Sequence, residues 1–297
     1  MFQSATRRTV LASAASLIAS PALASAAADR LAAIEVRIGG RFGVSALDLA
    51  SGARIAHRAD ERFCMCSSFK AMAAAAVLKR VDQGAERLDR FVRYTGDDLL
   101  AYAPTTRAHV KEGGLTLGAL CEAAVELSDN TAANLILAAL GGPAGWTRFV
   151  RSLGDRISRL DRTEPALNTS MPGDPRDTTT AAAMLADLQK TALGDALSAA
   201  SRQQFQAWLQ GGKTGDARLR AGLPPSWLVG DKTGTSGDVH GLATCNDIAV
   251  AWTPTRPIVI ACYTRAPSSV PAAARDAAIA DVARTVVAAF RPDAAHG

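Results

Sequence analysis

The sequence predicts an α+β fold. An antiparallel sheet of about five strands, built from both chain ends and flanked by helices, is joined to an all-helical lobe made by the middle of the chain. Three observations carry this. Strand-like alternation lies near the start, strand signals return only late, and the long stretch between is alanine-rich with helical spacing.

Arg41–Leu49 alternates with a period of two, Ser51-Gly52 marks a turn, and Arg54–His57 returns as a second strand. Ser67–Gln83 is predicted as a helix stopped by Gly84, and Thr131–Leu140 as one stopped by Gly141-Gly142. Thr116–Glu126, Thr178–Lys190 and Ser201–Gln210 are further helices. Asp161–Asp177 has no period and holds Pro165, Pro172, Gly173 and Pro175, so it is a long loop of the kind that often carries function. Trp227–Thr233, Ile248–Trp252 and Ile258–Tyr263 are strands, and Ala272–Phe290 is a closing helix. This order predicts one unit at 27–297, following an N-terminal export segment at 1–26. Its sheet lobe takes 27–60 and 212–292, its helical lobe takes 61–211, and the cleft between them is the natural site.

At 297 residues, 48% hydrophobic and 21% charged, the chain has the composition of an ordinary globular protein. The net charge of +5 is mild, and no basic run is interleaved with aromatics, which argues against nucleic acid as a partner. Arg7 and Arg8 precede an apolar stretch, Val10–Ala19, that is short for a membrane span. Ala24-Ser25-Ala26 follows as a cleavage site, with Ala22-Leu23-Ala24 as an alternative. Thr6–Leu11 also resembles a twin-arginine signal. The expectation is a periplasmic or secreted protein, monomeric and free of the membrane once the signal is removed. The five cysteines (64, 66, 121, 245 and 262) are an odd number, so at least one thiol stays unpaired within the chain. Cys64-Met65-Cys66 lacks the second half of a zinc site, and the four histidines are scattered, so no metal or other cofactor is expected.

Three short motifs carry chemistry. Ser67-Ser68-Phe69-Lys70 is S-x-x-K at a helix start. Residues three apart share a helix face, so an ammonium can reach a hydroxyl that needs activation, and unpaired backbone N–H groups there suit a developing oxyanion. Ser128-Asp129-Asn130 lies between two helices, where Ser128 can relay a proton and the Asn130 amide can bind a substrate amide. The same residues also favour a simple capping turn. Lys232-Thr233-Gly234-Thr235 ends a strand and offers charge, hydroxyls and an open backbone to a carboxylate. Lys213-Thr214-Gly215 repeats the K-T-G pattern but has no strand before it.

Together, in this order, the motifs closely resemble the class A β-lactamase family over nearly all of the mature chain, with motif spacings as the family has them. The β-lactamase/transpeptidase-like fold and the hydrolysis of penicillins, and of cephalosporins too, follow as expectations. Glu164-Pro165-Ala166-Leu167-Asn168 resembles the family's E-x-x-L-N segment, where the Glu and Asn hold the deacylating water. The resemblance implies Ser67 as nucleophile, with Lys70, Ser128, Glu164, Asn168 and Lys232 as the other catalytic groups. It also implies an oxyanion hole from the backbone N–H groups of Ser67 and Thr235. Asn130, Thr233, Gly234, Thr235, Arg218 and Tyr102 are the implied substrate contacts. Thr214 aligns near the carboxylate subsite, and Ser236 holds a position that influences substrate range. An Arg162–Asp177 ion pair closing the loop is implied as well, and Glu164–Pro165 is a candidate cis peptide.

Departures from the family concern cysteine. The position that pairs with Cys66 in some relatives is Ser236, and the position that would pair with Cys121 is Ala74. Cys245 falls in a stretch, Gly237–Asn246, slightly longer than usual, from which it could approach Cys66. The nearest rival reading is a D,D-peptidase, which shares the three motifs but lacks the Glu loop. A non-catalytic β-lactam sensor would need an anchor or signalling domain, and a Ser-His-Asp hydrolase would need G-x-S-x-G.

Overall fold

A computed structural model describes residues 21–169 and 171–291. Most of the export segment expected at 1–26 therefore lies outside the described residues. Helix α1 (Pro21–Ile38) opens the described chain. Strands β1 (Arg41–Asp48) and β2 (Arg54–His57) follow as a hairpin. Its turn is held by Asp48, whose carboxylate accepts from Ala50 N at 2.9 Å and Ser51 Oγ at 2.6 Å.

Next come β3 (Arg62–Cys64), α2 (Phe69–Asp82), β4 (Phe91–Arg93), α3 (Pro104–Ala108) and β5 (Gly114–Thr116). Helices α4 (Leu117–Glu126), α5 (Asn130–Leu140) and α6 (Pro143–Ser152) lead to β6 (Thr178–Thr180), α7 (Ala181–Ala192), α8 (Ala199–Gln210) and the short α9 (Leu219–Gly222). Strands β7 (Leu228–Thr235), β8 (Leu242–Trp252) and β9 (Ile258–Pro267) and helix α10 (Ala272–Phe290) complete the order.

The five-stranded antiparallel sheet runs β2-β1-β9-β8-β7, so the first and last strands of the chain are partners, with Val44 opposite Cys262. Both faces are covered, and side-chain alternation sorts the residues between them. Phe42, Val44, Ile258, Ile260 and Cys262 pack with Leu31 of α1 and Val282 and Val286 of α10. Val259, Ala261 and Tyr263 pack with Phe69 of α2 and Met184 of α7. Helix α2 is buried from Phe69 through Leu78. Its run of alanines lets α4, α5, α6 and α8 approach it closely, and alanine is also the best intrinsic helix former.

The helix ends follow their sequence signals. Thr116 caps α4 by accepting from Ala119 N at 3.2 Å. Gly141 ends α5 in the left-handed conformation at φ 84°. The middle region also carries two ladders of three residues each, β3 with β6 and β4 with β5. The segment predicted as one helix, Thr178–Lys190, is therefore split between β6 and α7. Among the described residues no helix is long and apolar enough to cross a membrane.

Candidate active site

Ser67 sits in a single 3-10 turn, Cys66–Ser68, between β3 and α2. Cys66 has φ 44°, a conformation most side chains avoid, so the turn needs outside support. The sheet supplies it. Ser68 Oγ lies 2.8 Å from Met65 O and 3.0 Å from the hydroxyl of Tyr263 in β9. Asn246 of β8 donates from Nδ2 to Cys64 O at 2.8 Å and to Met65 O at 3.1 Å. Gly234 of β7 lets that strand pass close by, since a Cβ there would stand 2.5 Å from Met65 O.

One helical turn beyond Ser67, the Lys70 ammonium is fully buried and fully partnered. It donates to Asn130 Oδ1 at 2.6 Å and Ser128 O at 2.8 Å, and stands 3.1 Å from Glu164 Oε1. Ser67 Oγ donates to the same Glu164 oxygen at 3.2 Å. Burial pushes the Lys70 ammonium below its usual range, against the opposing pull of the Glu164 carboxylate. Ser128, at φ 59°, presents its hydroxyl between two ammonium groups, 3.3 Å from Lys70 Nζ and 3.1 Å from Lys232 Nζ. Burial, joined by the Lys70 charge, holds Lys232 down to about 7.

Glu164 is carried by the 161–177 loop. Asp177 closes the loop, accepting from Asp161 N at 2.7 Å and Arg162 N at 2.9 Å and pairing with Arg162 Nε at 2.5 Å. The expected Arg162–Asp177 ion pair is present, and the Glu164–Pro165 peptide is cis. Asn168 donates its amide to Glu164 Oε2, while its Oδ1 is buried without a protein partner.

The loop is fastened to the helices by Asn134 of α5. Its Oδ1 accepts from Glu164 N and its Nδ2 donates to Glu164 O, both at 2.9 Å. Sequence reasoning missed Asn134 and Asn246. Asn134 had one available signal, its place four residues after Asn130 and so on the same helix face. Asp129, within the S-D-N motif, is a buried cap. It accepts from Ala132 N at 2.9 Å and Thr106 N at 2.9 Å, tying α5 to α3.

A cleft of about 400 Å³ is lined by Ser67, Tyr102, Ser128, Asn130, Asn168, Thr214, Arg218, Thr233 and Thr235. Lys70, Glu164, Lys232 and Gly234 stand behind this lining. Arg218 donates from Nη2 to Thr235 Oγ1 at 2.8 Å and from Nη1 to Asn246 O at 2.8 Å, and Asp276 of α10 accepts from its Nε at 2.8 Å. Thr214 of the second K-T-G lies with its hydroxyl 2.6 Å from that of Thr233, so the two K-T-G segments adjoin. Tyr102 stands half exposed at the rim, and its carbonyl accepts from Asn130 N at 3.0 Å. Ser236 is outside the lining. It is buried and accepts from Thr244 N at 2.9 Å, bracing the β7–β8 connection.

All five cysteines are free and buried. The Cys66 sulfur lies 3.6 Å from that of Cys64, while Cys245 reaches Asp276 Oδ1 at 3.1 Å. The arrangement offers a hydroxyl beside a carboxylate, two ammonium groups flanking a second hydroxyl, and an Arg–Thr–Thr surface suited to a carboxylate.

Residues 26–290 match the beta-lactamase enzyme family. The chain is 51% identical to a carbapenem-hydrolyzing beta-lactamase KPC of Klebsiella oxytoca, over 83% of each chain. It is 49% identical to the beta-lactamase FAR-1 of Nocardia farcinica, over 89% of this chain and 83% of that one. Among solved structures, the class A beta-lactamase of the last common ancestor of Gram-negative bacteria is 60% identical with a TM-score of 0.85, covering 90% of this chain and 100% of its own. The putative class A beta-lactamase PenP from Rhodopseudomonas palustris is 53% identical, also at 0.85, covering 89% of this chain and 100% of its own. With a five-stranded antiparallel sheet flanked by helices and these likenesses in sequence and structure, the chain belongs to the class A β-lactamase family of hydrolases.

Proposed function

We propose that this protein opens penicillins, and cephalosporins of the same carboxylate pattern, through an ester on Ser67 that a water directed by Glu164 then hydrolyses. The observation that carries the reading is the Glu164 carboxylate, with one oxygen 3.2 Å from Ser67 Oγ and 3.1 Å from Lys70 Nζ. Its other oxygen accepts from Asn168. A carboxylate so placed is within reach of both the serine proton and a water beside the ester.

The substrate carboxylate docks on Thr233, Thr235, Arg218 and the Lys232 charge, and Asn130 takes the side-chain amide. Ser67 Oγ bonds to the lactam carbonyl carbon, and its proton passes to the Lys70–Glu164 pair. The backbone N–H groups of Ser67 and Thr235 hold the oxyanion; losing one such donor costs roughly 3 kcal/mol of barrier. As the C–N bond breaks, Ser128, fed by the flanking ammonium groups, delivers a proton to the leaving nitrogen. Water held between Glu164 and the unpartnered Asn168 Oδ1 then attacks the ester and gives a proton to Glu164. The released Ser67 oxygen is reprotonated and the acid product leaves. A signal-bearing precursor exported from the cytoplasm, acting as a monomer, completes the reading.

Intact-protein mass spectrometry with a penicillin tests it. Glu164→Gln accumulates a covalent adduct, Ser67→Ala forms none, and the wild type turns over without a long-lived adduct. Removing a general base of this kind lowers the rate by roughly 10²–10⁴-fold. Rapid turnover by Glu164→Gln refutes its role, and a long-lived adduct on the wild type favours a D,D-peptidase.

A further inference from the structure

A second cavity, of about 570 Å³, lies between α2, α6 and the end of α7. It is set against the part of α2 remote from Ser67, and from Lys70 to Arg80 the helix rises about 15 Å. Four of its lining side chains are cationic, Lys79, Arg80, Arg148 and Lys190, against one carboxylate, Asp195. Among the described residues none of these five makes an ion pair. The two lysines donate to main-chain carbonyls, Lys79 to Ala196 O at 2.8 Å and Lys190 to Leu153 O. Arg80 is half-buried, and its Nε has no hydrogen-bond partner among the described residues. The floor is different in kind, with Leu140, Phe149 and Leu153 facing the same space.

A lining with surplus positive charge and no ion pairs calls for an anion, and a planar guanidinium matches a carboxylate. An apolar floor under a few polar groups calls for a hydrocarbon body. We propose that this cavity binds an amphipathic carboxylate of the straight-chain fatty-acid type. The head group sits between Arg80 and Arg148, and the chain lies on Phe149 and Leu153. Because the cleft beside Ser67 also suits carboxylates, the location of binding is part of the claim.

The test uses the mature full-length protein and dodecanoate below its micelle concentration, followed by calorimetry and by backbone amide NMR shifts. One equivalent binds, and the shifts cluster at Lys79–Gln83 and Arg148–Leu153. Inorganic phosphate and dodecyltrimethylammonium each bind more than tenfold more weakly. The double variant Arg80→Gln/Arg148→Gln loses more than tenfold in affinity with unchanged penicillin turnover. Arg148→Gln alone, at an exposed side chain whose removal leaves the core intact, loses at least threefold. Shifts centred on Ser67 and Thr235, affinity indifferent to the arginines, or phosphate or the ammonium surfactant binding as tightly as dodecanoate would each overturn the proposal.

Discussion

Replacing Asn134 with alanine removes both fasteners of the Glu164 peptide. The Glu164 N–H and C=O each have Asn134 as their sole protein partner among the described residues, at 2.9 Å, in a residue that is 3% exposed. An orphaned buried backbone group costs about 1–3 kcal/mol. The pair lies beside a cleft that water can enter, so the sum falls near the low end, at about 2–4 kcal/mol. For a domain of this size, roughly 2–4 °C of Tm go with each kcal/mol, so a fall of about 5–15 °C is expected. The same change loosens the carboxylate that faces Ser67. Penicillin turnover, measured well below the new Tm, therefore falls while a covalent adduct becomes visible. Calorimetric melting and intact mass under turnover are the paired assays. A Tm within 1 °C of wild type refutes the energetic reasoning. A lowered Tm with wild-type turnover refutes the link from loop fastening to catalysis.

Raising the pH through about 7 discharges Lys232 in the free protein, since burial and the Lys70 charge hold its ammonium down. A lowered lysine value places the loss of charge on the alkaline side, so kcat/KM for a penicillin falls above neutrality. A bound carboxylate moves the corresponding limb of kcat to higher pH, and a kcat/KM profile flat to about pH 9.5 contradicts this assignment. Gly234→Ala puts a Cβ 2.5 Å from Met65 O and 3.1 Å from Ser68 N. Strand β7 must then back away from the Ser67 turn, and kcat/KM is expected to drop about 10²-fold, as read in steady-state assays. Asp187 is buried, and burial, joined by the Asp155 charge, raises its carboxyl to about 9. Its folded form therefore keeps a proton that the unfolded chain releases, and stability falls as pH rises from about 4 to 9. Asp187→Asn removes that decline, so its Tm gains on wild type at pH 8 relative to pH 4; a gap independent of pH counts against the raised value.

Much of this was legible because local chemistry and periodicity agree. The alternation of Arg41–Leu49 and the late strand runs mark strands, though alternation alone predicts one wet face where β1 is buried along nearly its whole length, and Ala272–Phe290 is a helix over the predicted span. Ser67, Ser128 and Asn130 converge on one cleft from the ends of elements, where their signals are also capping or turn signals. Helix α6 carries a start signal in Pro143 at its first turn, but the Gly141-Gly142 pair before it reads more strongly as a break. The ladders β3–β6 and β4–β5 are three residues long, too short for a period to show. Asn134, Asn246 and Asp276 act through partners 30, 181 and 58 residues away, and nothing local distinguishes such side chains from ordinary helix or strand residues.

The placing of β9 between β1 and β8 has a consequence for how the molecule comes into being. The middle strand of the sheet is synthesised about 200 residues after β1, so a nascent chain that still lacks it holds two sheet fragments with no shared neighbour. Until residues 258–267 emerge, β1 and β8 each expose a hydrogen-bonding edge and two apolar faces. Pairings such as Arg41 with Arg265 close loops of more than 200 residues, a cost that slows folding. A truncation before β9 would therefore leave two fragments with adhesive edges rather than a smaller working sheet.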